Sequence, residues 1–311
     1  MILRIALALT VGIGLTLGGA TAASQYETQL AASFQQEQVG RVQDRAVARA
    51  RDMEQALRET AMYLSERDVN LMSFEPRLMA VSDQNPTFRV VSWLPVVQKG
   101  GADRFLAEIR RSIPDFAFRE VDPETGEIRG AGEALAYVPF LLLQPEHGNG
   151  MLRGVDLGNQ KLLAEAMQRS YQIDGVSASA PTNVFPPDQE PSLLLLHYVQ
   201  RPEGFVGGVV QADTLLDHLM EGAPTGLVGQ LSDEGRGSVE LATQADYPGS
   251  GAKGSVVLGG QRLSLTVAAT PEYRPLGTVL VPAVLFGGVG ITLVLLAMSL
   301  LGGGTAKQES R

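Results

Sequence analysis

The stretch "MLRGVDLGNQKLLAEAM", Met151 to Met167, changes its hydrophobic period partway along. "LRGVDL" reads as the end of an apolar strand, and the segment from Asn159 to Tyr171 repeats its apolar residues at helical spacing. One carboxylate, Asp156, stands at the junction. Three readings of it are open: a cap for the following helix, a catalytic group, or the grip on a ligand. A cap accepts hydrogen bonds from the free N–H groups of a first helical turn, and Asn159 is equally suited to that task.

Short strand-like and helical units surround this junction. On the N-terminal side, "FRVVSWLPVV" (Phe88 to Val97) is β-branched, "DRFLAEIRRSI" (Asp103 to Ile113) is helical in period, and "FAFREV" (Phe116 to Val121) alternates before the turn "DPETGE". "ALAYVPFLLL" (Ala134 to Leu143) reads as an apolar strand. On the C-terminal side, "GVSASAP", "SLLLLHYVQ" and "GFVGGVVQA" read as central strands, closed by the helix "ADTLLDHLMEG". The fold class is therefore α+β. Beyond Pro224, "GLVGQLSD", "SVELAT", "GSVVLGG" and "QRLSLTVAAT" predict a second, smaller antiparallel sheet with Gly-rich turns.

Ahead of the sheets, Ser24 to about Asn70 holds no proline and one glycine, Gly40. Ala46, Ala50, Met53, Leu57, Ala61 and Leu64 fall on one face of a long helix. Such a face packs on its own domain, and its spacing also permits pairing with a second copy. Two uncharged runs lie outside these parts, Ile5 to Ala23 and Leu276 to Leu301. Each is long enough for a bilayer core of roughly 30 Å. "ATAA" at Ala20 to Ala23 also fits a signal-peptide cleavage site. Arg4, Lys307 and Arg311 flank the runs on their outer sides, which predicts cytoplasmic termini and an extracytoplasmic middle. The expected division is a span or signal peptide at 1–23, a stalk helix at 24–73, a larger sheet domain at 74–222, a smaller one at 223–275, a span at 276–301 and a tail at 302–311. The expected location is a cell inner membrane, with 24–275 on the periplasmic side.

Composition narrows the function classes. The 311 residues carry a net charge of −9 and no basic patch, which argues against nucleic acid. There is no cysteine, so neither disulfides nor thiol chemistry enter. His147, His197 and His218 lack metal-ligand spacing, and no nucleophile elbow, phosphate loop or dinucleotide fingerprint is present. Asp213 and Asp217 share a helix face, where a solvated or capping role outweighs acid–base work. No catalysis, cofactor or metal is expected. In the apolar runs, Gly14 with Gly18 and Ala283 with Gly287 form small-residue pairs that permit close helix contact.

The order "SWLPVV", "AYVPF", then "GVDL" before a helix and a small-residue strand ending in Pro181 resembles the CHASE domain. That domain is the extracellular sensory module of receptor histidine kinases and of nucleotide and diguanylate cyclases. The resemblance covers Phe74 to Gly222. It implies a membrane-distal PAS-like domain that binds a small ligand, a membrane-proximal PAS-like domain, and a homodimer formed through the long helix. In the plant cytokinin receptors of this family an Asp in the position of Asp156 hydrogen-bonds the ligand. The resemblance thus implies Asp156 as anchor, with Trp93, Tyr137, Ala178 and Ser179 lining the pocket and Tyr198 as a further wall. Ala178 is smaller than the apolar residue the family places there, which points away from cytokinin. Family members usually continue into an output domain, whereas "GGGTAKQESR" follows the second run, so the expected receiver is a separate kinase or cyclase. The alternatives are an envelope scaffold with a vestigial pocket and, more remotely, an envelope enzyme.

Overall fold

The computed structural model describes residues 2–66, 71–122, 125–183, 185, 190–273 and 280–301. The tail at 302–311 and the start of the second apolar run, 276–279, lie outside them. Two compact units form, one from Met1–Val39 with Pro271–Arg311 and the other from Gly40–Thr270.

In the first unit the N-terminal part of α1 (Ile2–Ser65) packs against α6 (Leu280–Leu301). The contact is reciprocal. A side chain on Gly12 would collide with Thr292, and one on Gly288 would collide with Thr16. Thr16 and Thr292 each donate their hydroxyl to a carbonyl four residues back, Gly12 and Gly288 respectively, both at 2.8 Å, so each side chain lies against the facing glycine with its hydroxyl already satisfied. Of the glycines singled out in the sequence, Gly14, Gly18 and Gly287 would meet nothing within 4 Å if each carried a Cβ, so the close approach falls on Gly12 and Gly288 instead. Among the described residues no helix is long and apolar enough to cross a membrane.

In the second unit α1 supplies the stalk. Val42, Ala46, Ala50, Met53, Leu57, Ala61 and Leu64 are all buried at 2% exposure or less, so the apolar stripe is covered within a single chain. Arg49 holds the stalk to the end of a later helix, donating to the Glu221 carbonyl at 2.9 Å and pairing with the Glu221 carboxylate at 3.2 Å. A second helix, α2 (Leu71–Gln84), then leads into the sheets and includes Pro76.

The chain next runs through β1 (Val90–Pro95), β2 (Val97–Gln98), α3 (Ala102–Ile109), β3 (Arg119–Val121), β4 (Ile128–Gly130), β5 (Ala136–Tyr137), β6 (Leu142–Gln144), α4 (Lys161–Ile173), β7 (Val176–Ala178), β8 (Ser192–Val199), β9 (Gly204–Gln211) and α5 (Ala212–Met220). Five strands make one sheet in the order β6-β1-β9-β8-β7, with every neighbour antiparallel. The second sheet consists of β10 (Leu227–Asp233), β11 (Val239–Thr243), β12 (Ala252–Leu258) and β13 (Gln261–Ala269), in the order β11-β10-β13-β12. Mixed α+β character, long N-terminal helices and antiparallel sheets agree with the sequence reading.

The larger sheet buries both faces. Val90 and Leu94 of β1, Leu194 and Leu196 of β8, and Phe205 and Val209 of β9 join Leu163, Ala166 and Met167 of α4 in one core. Alternation along β1 turns Trp93 to the other face, where its ring meets Phe74 of α2 edge-on at 6.4 Å.

Two segments differ from their expected form. "ALAYVPFLLL" is not one strand but two short ones, because Pro139 cannot donate to a ladder. β5 pairs with β2, and β6 pairs with β1. "LRGVDL" is not a strand: it leaves a 3-10 turn at Gly150–Leu152 and then makes only single pairings, of Val155 with Arg119 and of Asp156 with Pro139. Gly154 makes that path possible, with φ +82° and no room for a Cβ beside the Ala117 carbonyl.

Candidate ligand site

Asp156 sits where these irregular segments meet. It is 2% exposed. Its Oδ1 accepts from the Val138 N–H at 2.6 Å and the Gly158 N–H at 3.0 Å, while Oδ2 has a long contact, 3.4 Å, with the Asn159 amide. Its own N–H donates to the Arg119 carbonyl at 2.7 Å. One carboxylate therefore ties the segment after β5 to the turn before α4. Burial pushes the carboxyl above the ordinary aspartate range, the Val138 and Gly158 N–H groups pull it back, and the charge of Glu120 adds to the rise. The cap reading fails on geometry. The residue that caps α4 is Gln160, which makes no side-chain cap bond, so neither Asp156 nor Asn159 fills that position.

Tyr137 directly precedes Val138, whose N–H bonds Asp156. Its ring stacks on Phe118 with centroids 4.3 Å apart and planes 3° from parallel. Its hydroxyl donates to the Gly132 carbonyl at 3.1 Å and accepts from the Ala134 N–H at 3.2 Å. Phe118 stacks in turn on Phe105. The signal for these partners was present in "FAFREV", whose alternation puts Phe116, Phe118 and Glu120 on one face.

The remaining candidates lie elsewhere. Trp93 is 1% exposed on the face covered by α2, and its Nε1 has no hydrogen-bond partner. Ser179 is buried on the strand edge, with its Oγ accepting from the Leu194 N–H at 3.0 Å. Ala178 is fully buried beside the second sheet, its N–H donating to the Gly259 carbonyl at 2.8 Å. Tyr198, at the end of β8, packs edge-on to Tyr171 and Phe205. It lines an open cleft of about 930 Å³ together with Arg58, Met62, Tyr171, Asp174, His197 and Arg201. The sequence reading missed this cleft, because its walls come from three separate elements. As for the acidic pair on α5, Asp217 accepts from the Gln244 amide at 2.9 Å, a structural role.

His197 is 6% exposed, and burial pushes its pKa below the ordinary 6.5, against the Gly175 backbone and the Asp174 charge. The unfolded chain then takes up a proton at higher pH than the folded one. Stability is whole above pH 6.5 and falls as pH drops from there through the folded value. His197→Gln is expected to flatten the loss of melting temperature between pH 7.5 and 5.5. Parallel wild-type and variant curves would contradict the assignment.

The family model of the CHASE domain matches residues 68–242. Among solved structures, the chain is similar to an extracellular ligand binding receptor from Desulfohalobium retbaense, at 13% identity and TM-score 0.46 over 74% of this chain and 39% of that one. It is also similar to the ligand binding domain of the Pseudomonas aeruginosa amino acid chemoreceptor PctB in complex with L-Arg (12%, TM-score 0.41, 82% of this chain and 100% of that one). A third is the periplasmic sensory domain of the Campylobacter jejuni chemoreceptor Tlp1 (12%, TM-score 0.42, 82% and 99%). No match is found among curated proteins.

Proposed function

The chain belongs to the CHASE domain family, and on that footing we propose that it is an extracytoplasmic sensor of a small molecule, anchored through Asp156. The observation that carries the anchor is the unequal use of the two carboxylate oxygens. Oδ1 is taken by two backbone N–H groups, whereas Oδ2 has a single contact at 3.4 Å. A ligand that presents an N–H or O–H to Oδ2 completes the hydrogen bonding of a buried acceptor. Such a bond to a charged group is worth about 1.5–3 kcal/mol.

Membrane attachment is part of the proposal and rests on the uncharged runs 5–23 and 276–301, the second of which includes four residues outside the described ones. The proposed receiver is a kinase or cyclase, of the kind that CHASE modules serve. Dimerisation through the stalk is proposed on faces other than the Ala46–Leu64 stripe, because that stripe is already covered. No catalytic role is proposed for any residue.

An envelope scaffold is the second reading, and the engagement of Asp156 and Tyr137 by the chain's own backbone favours it. A thermal-shift screen of the full chain against a library of small metabolites separates the two. A sensor is stabilised by at least one compound, since a ligand at 100 times its Kd adds about 2.7 kcal/mol. A library that shifts nothing supports the scaffold.

A further inference from the structure

The hairpin between β12 and β13 ends in Gly259 and Gly260, both at positive φ. Its tip is wedged between two parts of the same unit. On one side, the Gly259 carbonyl accepts from the Ala178 N–H at 2.8 Å, at the outer strand of the larger sheet. On the other, the Gly259 N–H donates to Glu54 Oε1 of the stalk at 2.6 Å. The fit is close, since a Cβ on Gly259 would overlap the Ala178 nitrogen and lie 2.7 Å from the Ala178 Cβ. Ala178 is therefore small because the hairpin seats against it.

The chain of contacts continues beyond the strand. Arg169 of α4 donates to the Ala178 carbonyl at 2.6 Å and to Ser177 Oγ at 3.2 Å. α4 begins directly after the turn that Asp156 holds. Hydrogen bonds thus run from the candidate ligand site through α4, Arg169, Ala178 and Gly259 to Glu54 on the stalk.

We propose that the Gly259 hairpin tip is a coupling joint, with Arg169 and Glu54 as its positioning residues, through which a shift of α4 is passed to the stalk helix. As a route for a signal, this rests on the sensor reading. As a mechanical link between α4 and the stalk, it holds without any ligand, so it is tested without one. Two sites are coupled only if perturbing either is felt at the other.

The experiment is hydrogen–deuterium exchange on the full chain in detergent, comparing wild type with Glu54→Ala, Glu54→Gln and Arg169→Ala. Glu54→Ala is expected to speed exchange in α4 and β7, and Arg169→Ala to speed it at Gly259 and in the stalk around Glu54, each by about fivefold or more, as for loss of one hydrogen bond. Glu54→Gln keeps an acceptor carbonyl and is expected to stay close to wild type. Gln55→Ala, which removes only a local stalk contact to Glu59, serves as the control and leaves β7 unchanged. Changes confined to the mutated element in both alanine variants would overturn the joint, as would a Gln55→Ala effect on β7 equal to that of Glu54→Ala. The two alanine variants enter from opposite ends, so loss of folding in one leaves the other decisive. A failed ligand screen leaves this result untouched.

Discussion

Replacing Asp156 by alanine is expected to lower the melting temperature by about 5–10 °C. The carboxylate is the acceptor for the Val138 and Gly158 N–H groups at 2.6 and 3.0 Å; the buried Val138 donor left without a partner costs about 1–3 kcal/mol, and the half-buried Gly158 donor adds less because water can reach it. For a unit of this size 1 kcal/mol moves the midpoint by about 2–4 °C. Asparagine keeps the Oδ1 acceptor and loses the charge that burial disfavours, so Asp156→Asn is expected to melt within about 3 °C of wild type. Thermal melts followed by circular dichroism check both. Equal losses in the two variants would mean that the Oδ1 bonds do not carry the effect. This difference separates the structural duty of Asp156 from its proposed ligand duty, because the asparagine variant retains the first and loses the second.

The second large effect is expected at Trp93. Trp93→Ala removes a fully buried ring that packs edge-on against Phe74, and such truncations cost about 3–5 kcal/mol. Denaturant melts are expected to show that loss with an unchanged slope. Trp93→Phe keeps most of the contact, and any compound that binds the wild type is expected to bind it equally well, because Trp93 is on the sheet face covered by α2 and Asp156 is on the other side. A ligand whose affinity drops with Trp93→Phe would place Trp93 in the pocket and contradict this assignment of faces.

The faces show how far the sequence could be read. Period-2 alternation in "VVSWLP" marks two faces, and both are buried, so nothing local says which is covered by α2 and which by α4 with the Asp156 region. The stalk stripe was legible residue by residue, because every member of Ala46 to Leu64 turns to one side at helical spacing and that side is buried. All four strands of the smaller sheet were legible from Gly-rich turns between β-branched runs. "LRGVDL" misled because its apolar content matches a strand, while Gly154 bends its backbone to φ +82°. Of the residues that the family resemblance grouped with Asp156, Tyr137 adjoins the Val138 N–H that bonds its carboxylate, while Trp93, Ala178, Ser179 and Tyr198 belong to other parts of the fold. The small size of Ala178 has its cause in a distant hairpin, which no local pattern encodes. The cleft at His197 likewise draws on α1, α4 and β8, far apart in the chain.

The most direct test of Asp156 as ligand anchor is calorimetric titration of a compound from the thermal-shift screen into the wild-type chain and into Asp156→Asn. The asparagine variant, melting close to wild type, is expected to bind about 10- to 100-fold more weakly, as the loss of a hydrogen bond to a charged acceptor requires. Equal affinity in the two proteins would contradict it.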